Sequence, residues 1–317
     1  MQDFDGLAAA PKIVITEYLS TRDLVNLAQI SKAHSKLFAP MIDVRKLLHH
    51  ATRGEHDKVE AMLKKDVSLM FKRGNVTDCS GRTFDNISAF EYALWALDKH
   101  MWAVMIACIP SNEEGRKVFE KLRAQYNKVN TDGVTYRLNG KTITENHFDF
   151  ENTIIKELQT QVDSRNAPGD KNWDAIDKQW REGVGGAQML LPMHIVDEYC
   201  SNKPFCPVPM FTSQPKSSKK LYNLTTHKYE DWFSRDSKLG IEFAVYKGCF
   251  ECASGWQVTG CADGEGVWRY SSPRVVAEYD LNVMKALCKV RTYDFIDLKS
   301  QLEEQMKLDN HHQVVPI

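Results

Sequence analysis

Cys249 and Cys252 stand two residues apart and Cys261 follows, the cluster of this chain whose spacing suits a metal. A structural zinc takes four thiolate or imidazole ligands in a tetrahedron. The fourth would have to come from a distance, for example from Cys200 or Cys206. Alternating strand positions account for the same cysteines as small packed hydrophobes, so no metal site is expected. His194 and His227 lie near several cysteines and supply the residue types of a Cys/His hydrolase, whose partners need only meet in space. No spacing singles out a nucleophile, and no catalytic residue is assigned. Gly183, Gly185 and Gly186 suit an anion at a helix N-terminus, but a turn between helices is the expected use of those glycines. The basic run 216–220 has no interleaved aromatics and reads as a solvated loop. Phosphate-binding loops, dinucleotide fingerprints, nucleophile elbows and His-Glu-x-x-His helices are missing from the sequence, so no cofactor is expected.

The elements that would position such groups belong to an ordinary globular chain. It has 317 residues, 43% of them hydrophobic and 26% charged, with a formal net charge of -1. That length accommodates several modules, and that balance gives no reason to expect nucleic acid or an anionic membrane as partner. The N-terminus lacks the basic and apolar regions of a signal peptide, and no stretch is apolar for long enough to span a membrane. Eight cysteines are too sparse for a disulfide framework and read as reduced thiols in a cytosolic setting.

From 7 to 40 the pattern is helical and closely punctuated. Leu7, Pro11, Ile15 and Leu19 recur at intervals of four, with Val14 and Tyr18 beside them, which lays one apolar face along a helix that Pro11 helps to start. Ser20 and Asp23 fit a capping box, so a second helix is expected to bury Leu24, Leu27 and Ala28. A third, 31–38, should stop before Pro40.

These residues resemble an F-box. Leu7 takes the opening leucine, Ile15, Tyr18 and Leu19 the apolar positions of the first helix, and Asp23 and Leu24 the start of the second. Ala8 stands where the family prefers proline, and Ser31 and His34 where it often has cysteine and tryptophan. The resemblance implies docking onto a Skp1-type adaptor through Leu7, Pro11, Ile15, Leu19, Leu24 and Leu27, and through Skp1 onto cullin-1. An ordinary helical cap is the alternative.

Residues 47–63 resemble the helix–turn–helix of an ankyrin repeat, with Gly54 at the turn where the backbone favours positive φ. A second copy opens at 78–83, and 88–93 stands where the repeat's Thr-Pro-Leu-His motif belongs. The copies lie further apart than the roughly 33 residues of the regular repeat, and two fall short of the roughly three that bury a solenoid core. A degenerate pair leaning on its neighbours is expected.

The block 93–109 is apolar enough to be a helix buried nearly all round, with Trp95 and Trp102 in the core and Pro110 closing it. A helix over 113–127 follows. Asn139 and Gly140 between alternating stretches predict a type I' hairpin over 134–144. Helices are expected at 150–162, 172–182, 190–200, 273–289 and 298–307, short strands at 241–246, 256–258 and 267–270, and a surface loop at 202–220.

The fold class expected is mainly α with a minor β part (α+β), in three parts: 1–42 F-box-like, 43–130 ankyrin-like, and 131–317 an α+β substrate-recognition domain. Together the resemblances imply a non-catalytic substrate receptor of a Skp1–cullin–F-box ubiquitin ligase, presenting a host target protein. Such pairings are also found among proteins that intracellular bacteria inject into their hosts. The tail 302–317 is similar to type IV secretion signals, which implies delivery to the host cytosol without a cleaved signal peptide. Two alternatives stand beside this one. In one the C-terminal half is an enzyme of Cys/His type, with the F-box serving localisation or regulation. In the other the chain is a purely structural interaction protein.

Overall fold

In the computed structural model the described residues are 8–201, 203, 205–215, 221–223, 228–230, 239–241, 244–246, 260–262 and 273–306. They form a mainly helical α+β protein of two units: residues 1–147 with 298–317, and residues 148–297.

The first unit opens with α1 (Ala9–Glu17), α2 (Thr21–Gln29) and α3 (Lys32–Thr52). Ser20 caps α2 by accepting from the Asp23 N–H at 3.1 Å. Ser31 caps α3 by accepting from the His34 N–H at 3.2 Å. Only half of the expected capping box forms at α2, because the Asp23 carboxylate accepts from the Ser20 hydroxyl at 2.6 Å instead of reaching back to its N–H. The third helix does not stop before Pro40. It runs through that proline to Thr52, so the expected 42/43 boundary falls inside a helix. Losing the N–H of Pro40 costs one helical bond, and burial of Val44, Leu47 and Leu48 along one stripe, with Ile42 buried on the other side against α2, offsets it at roughly 1.5–3 kcal/mol per side chain.

Gly54, at φ +65°, turns the chain from α3 into α4 (His56–Leu63). A 3-10 turn, Val67–Phe71, leads to a hairpin of β1 (Arg73–Thr77) and β2 (Thr83–Ser88). The Asp78 carboxylate accepts from the N–H groups of Ser80 and Arg82, each at 2.9 Å, and so shapes the connection between the strands. Ser88 and Glu91 form a complete capping box for α5 (Ala89–Trp95). The apolar block 93–109 is broken, not continuous. Leu97 takes a left-handed φ of +56°, Asp98 accepts from the Met101 N–H, and α6 (Lys99–Ala107) starts anew. Trp95 and Trp102 are buried in the core as expected.

Helix α7 (Glu113–Asp132) outlasts its predicted end by one turn because Tyr126 and Val129 continue its buried face. Asn139 and Gly140, both at positive φ, then close the expected hairpin of β3 (Val134–Leu138) and β4 (Lys141–Glu145). The four strands make one antiparallel sheet in the order β1-β2-β3-β4.

In the second unit a π-helical turn, Glu151–Ile155, enters α8 (Lys156–Asn166). Helix α9 (Trp173–Lys178) continues through a π-helical stretch, Gln179–Val184, into α10 (Gly185–Gln188). Gly183, Gly185 and Gly186 are thus helical and not an inter-helix turn. Gly185 shows why. A Cβ there would lie 2.6 Å from the Gly240 carbonyl oxygen, so glycine is required for the helix to approach that backbone. Helix α11 (Met193–Cys200) follows Pro192 as expected, and all eight of its residues are buried. Strands β5 (Leu221–Asn223) and β6 (Lys228–Glu230) pair, as do β7 (Ala244–Tyr246) and β8 (Gly260–Ala262). The expected strands 256–258 and 267–270 lie outside the described residues. The two helices expected after 273 are one, α12 (Pro273–Gln305), since no helix-breaking residue interrupts its register between them.

Candidate functional site

The short helices at the N-terminal end hold each other together from within. Leu24, Ala28, Phe38 and Ile42 form a closed cluster, with Val25, Leu27, Leu37 and Met41 packed against it. Arg45 reaches from α3 to the end of α1, donating to the carbonyl oxygens of Leu19 at 2.6 Å and Thr16 at 3.2 Å. A buried guanidinium on these terminal carbonyls satisfies acceptors that the helix cannot pair itself and complements the negative end of its dipole. The Thr16 hydroxyl bonds back to the carbonyls of Lys12 and Ile13.

The residues singled out for Skp1 divide on this scaffold. Pro11 and Ile15 are exposed on α1, and Leu19 is half-buried. Leu24 is fully buried and Leu27 half-buried, because α2 closes on α3; Leu24 thus serves the internal cluster and offers no surface. Leu7 lies outside the described residues. On α1 and its C-cap, Val14 (55% exposed) and Tyr18 (86%) extend the exposed apolar face of Ile15 (45%), and Ile30 (66%) is exposed at the end of α2.

A cleft of ≈ 780 Å³ lies alongside, lined by Ile13, Tyr18, Met41 and Val44 on the helical side and by Arg73, Asn75, Asp85, Asn86 and Arg137 on the sheet side. Its wall is shaped by an irregularity in the β1–β2 pairing. Gly74 faces Ile87 while Val76 faces Phe84, so β2 carries one more residue than β1 over this interval. Phe84 and Ile87 both point inward, and Asp85 and Asn86 between them are both exposed. Arg137 on β3 bonds Asp85 through two N–H groups, at 3.0 and 2.8 Å. Arg73 makes a two-pronged ion pair with the buried Glu91. Sequence reading passed over these residues. The strands are short, and the clamp of Arg45 uses backbone carbonyls that leave no trace in side-chain spacing.

Behind the sheet, Arg82 is buried with its guanidinium 5.2 Å from the Trp95 ring and 5.4 Å from that of Tyr136, and 3.5 Å from the Asp78 carboxylate. Burial pushes the Asp78 carboxyl above its ordinary value against the pull of Arg82. Burial, with Glu145 nearby, lifts the Tyr136 hydroxyl to about 12. Both stay with structure: the ring cluster of Phe84, Tyr92, Trp95 and Tyr136 packs around them.

In the second unit the Gln188 amide pairs with the backbone of Val245, donating to its carbonyl at 2.6 Å and accepting from its N–H at 2.8 Å. His194 and Cys200 are buried on α11, and the His194 carbonyl accepts from Gln214 at 3.1 Å. Cys261 lies on β8, whereas Cys249, Cys252 and His227 fall outside the described residues. Among the described residues no group of three or more His, Cys, Asp or Glu side chains is arranged to hold a metal ion, and no helix is long and apolar enough to cross a membrane.

Residues 153–302 match the family description CBUA0006 C-terminal domain, a span that overlaps the second unit nearly end to end. Over 271 residues the chain is 34% identical to the uncharacterised protein CBUA0006 of Coxiella burnetii (strain RSA 493 / Nine Mile phase I), covering 79% of this chain and 73% of that protein. The chain belongs to the CBUA0006 family. No solved structure matches it. The family's C-terminal domain accordingly takes in α8 to α11 and most of α12, including Gly185, Gln188 and the buried α11. The apolar surface on α1 and the cleft beside it lie ahead of that domain.

Proposed function

We propose that the protein is a non-catalytic substrate receptor of a host Skp1–cullin–F-box ubiquitin ligase. Its N-terminal helices dock Skp1, and through Skp1 it joins cullin-1, while the rest of the chain presents a host target protein. The observation that carries this reading is the exposed apolar face of Val14, Ile15 and Tyr18 along α1. These side chains stay open to solvent while the neighbouring helices α2 and α3 bury a cluster of their own. An unpartnered apolar patch of this kind marks a protein–protein contact, and helices lying in a partner's groove concentrate binding energy in a few such anchors.

Two further features support it. Helix pairs α3–α4 and α5–α6 each turn at a left-handed residue, Gly54 and Leu97, and a hairpin joins the pairs, which is the order of parts in ankyrin-like binding modules. The helix α3 is shared between the F-box-like helices and the first pair, so the docking end and the helix pairs are connected without a flexible linker. Rigid connection suits an adaptor, because transfer to a held target depends on effective concentration. The relative comes from Coxiella, an intracellular bacterium, which suits a protein delivered into a host cytosol.

Size-exclusion chromatography of the purified chain with purified Skp1 at micromolar concentration tests the reading. A stoichiometric complex is expected. Separate elution overturns it and leaves the N-terminal helices as a cap on the helix pairs.

A further inference from the structure

A separate groove of ≈ 490 Å³ runs between α2 and α3. No residue of α1 lines it, nor does any residue assigned to Skp1. Both walls are helical stripes. Val25, Ala28 and Gln29 stand three and four residues apart on α2, and Lys32, Ser35, Ala39 and Ile42 follow at steps of three, four and three along α3. Asp43 and Lys46 continue the second stripe, so from Lys32 to Lys46 it extends about 21 Å at the helical rise. Val25 and Ala39 are half-buried, and Ala28 and Ile42 are buried. They make a low apolar floor that another helix can approach closely.

The charges along this groove lack partners within the chain. Lys32, Lys36 and Lys46 on α3 are exposed and form no ion pair among the described residues. Asp43, the carboxylate on the lining, pairs with none of them. Arg73 and Arg137 are already bound to Glu91 and Asp85, whereas these ammonium groups are open to an incoming acid. Their placement also runs against helix preference. Lys32 and Lys36 are like charges one turn apart at the start of α3, where the helix dipole is positive and the first turn holds no acidic residue. No described residue compensates them. A carboxylate seated at that end would meet two ammonium groups and the positive end of the helix together.

We infer that the α2–α3 groove takes an acidic amphipathic helix of a second partner protein. Its apolar stripe rests on Val25, Ala28, Ala39 and Ile42, one carboxylate meets Lys32 and Lys36, and another meets Lys46. The occupant is helical because the walls offer anchors at three- and four-residue spacing along two helices and present no strand edge. It is acidic because the lysines without a partner outnumber Asp43. The apolar floor and Asp43 disfavour a chain of phosphates. The site goes beyond the Skp1 reading, since it needs no part of α1.

The test uses the full chain, immobilised, and pools of fluorescein-labelled, alanine-rich helical peptides of about 18 residues, ~27 Å long as helices. Each carries a stripe at three- and four-residue spacing in which Leu, Ile, Val and Ala vary. One pool has Glu at both ends of the stripe, and the other Gln. The Glu pool should be retained about tenfold better, equivalent to ~1.4 kcal/mol. K32E combined with K46E should reverse the preference and favour a matched Lys pool. S35W leaves every charge in place but fills the groove from an exposed helix position, and should lower retention of the Glu pool about tenfold. Equal retention of the Glu and Gln pools overturns the proposal. So does an S35W chain that holds the Glu pool as well as wild type, because charge would then act without the groove. A Glu at the exposed start of α3 suits the helix dipole, so K32E keeps the fold. Skp1 co-elution of the K32E/K46E chain should be unchanged; its loss would make the groove part of the Skp1 contact and overturn the second partner.

Discussion

The Arg45 guanidinium donates to the Leu19 carbonyl oxygen at 2.6 Å, which ties the end of α1 to the middle of α3 across 26 residues of sequence. The contact fixes the helix that carries Val14 and Ile15, and its second bond, to the Thr16 carbonyl, lies in a buried setting. Removing the guanidinium leaves helix-terminal acceptors without a partner. R45M keeps much of the apolar stem and isolates the polar loss. We expect it to destabilise the attachment of α1 by about 1–3 kcal/mol. Amide hydrogen exchange should then quicken across 9–17 while the slow amides of α5 and α7 are unchanged. Unaltered exchange in α1 would show that Arg45 does not hold it.

Exposed and buried members of the apolar set should separate cleanly. I15D places a charge on the α1 surface without opening a cavity, so it should abolish Skp1 co-elution at micromolar concentration with little change in melting temperature. L24A removes a fully buried side chain from the cluster with Phe38 and Ile42, and should cost about 2–5 kcal/mol of stability. Paired L7A and P11A should weaken the complex by roughly 1–4 kcal/mol in total. If I15D and wild type co-elute equally with Skp1, α1 is not the docking face.

Local signals carried the reading of the fold furthest. Asn139 and Gly140 marked their hairpin, and Ser20 and Ser31 marked their helix starts, because each acts within a few residues of sequence. Where tertiary contacts outweighed local preference, the reading failed. Pro40 is carried inside α3 by the buried stripe beyond it, and Leu97 adopts a conformation for which glycine is the usual residue. The cleft was illegible for a related reason: it depends on a register shift between two short strands, which no periodicity displays. Of the residues assigned to Skp1 docking, the exposed positions Pro11 and Ile15 on α1 agree with the apolar spacing. The inward turn of Leu24 was not legible, since it depends on how α2 closes on α3.

Acid should loosen the first helix pair through Glu55. Burial works to raise this carboxyl, but hydrogen bonds from His50 and Lys58 outweigh it and hold it below its ordinary value of 4.5. A carboxyl depressed in the folded state contributes stability above its unfolded value and loses it as pH falls through the folded one. E55Q should therefore lower the melting temperature near neutral pH and lose that deficit progressively below about pH 4.5. Melting curves of both proteins from pH 7 to pH 3 check this. A deficit that persists unchanged at pH 3 would assign the effect to packing instead of charge.

Neighbouring glycines in the family's C-terminal domain should respond in opposite directions. Both Gly185 and Gly186 lie in α10, where alanine is intrinsically the better helix former by about 1 kcal/mol. At Gly186 a Cβ meets nothing within 4 Å, so G186A should stabilise the domain by roughly 0.5–1 kcal/mol. At Gly185 the same atom would lie 2.6 Å from the Gly240 carbonyl oxygen and 3.0 Å from the Ala244 Cβ, and backbone cannot swing aside as a side-chain tip can. Helix and strand must part there, which also strains the Gln188 amide pairing with Val245 three residues further on. G185A should accordingly cost on the order of 1–3 kcal/mol despite the better propensity. Urea unfolding monitored by tryptophan fluorescence, with Trp180 as a buried reporter in the adjoining helical stretch, measures both. If G185A is neutral or stabilising, α10 does not approach Gly240 as closely as the contact requires, and propensity alone governs this part of the domain.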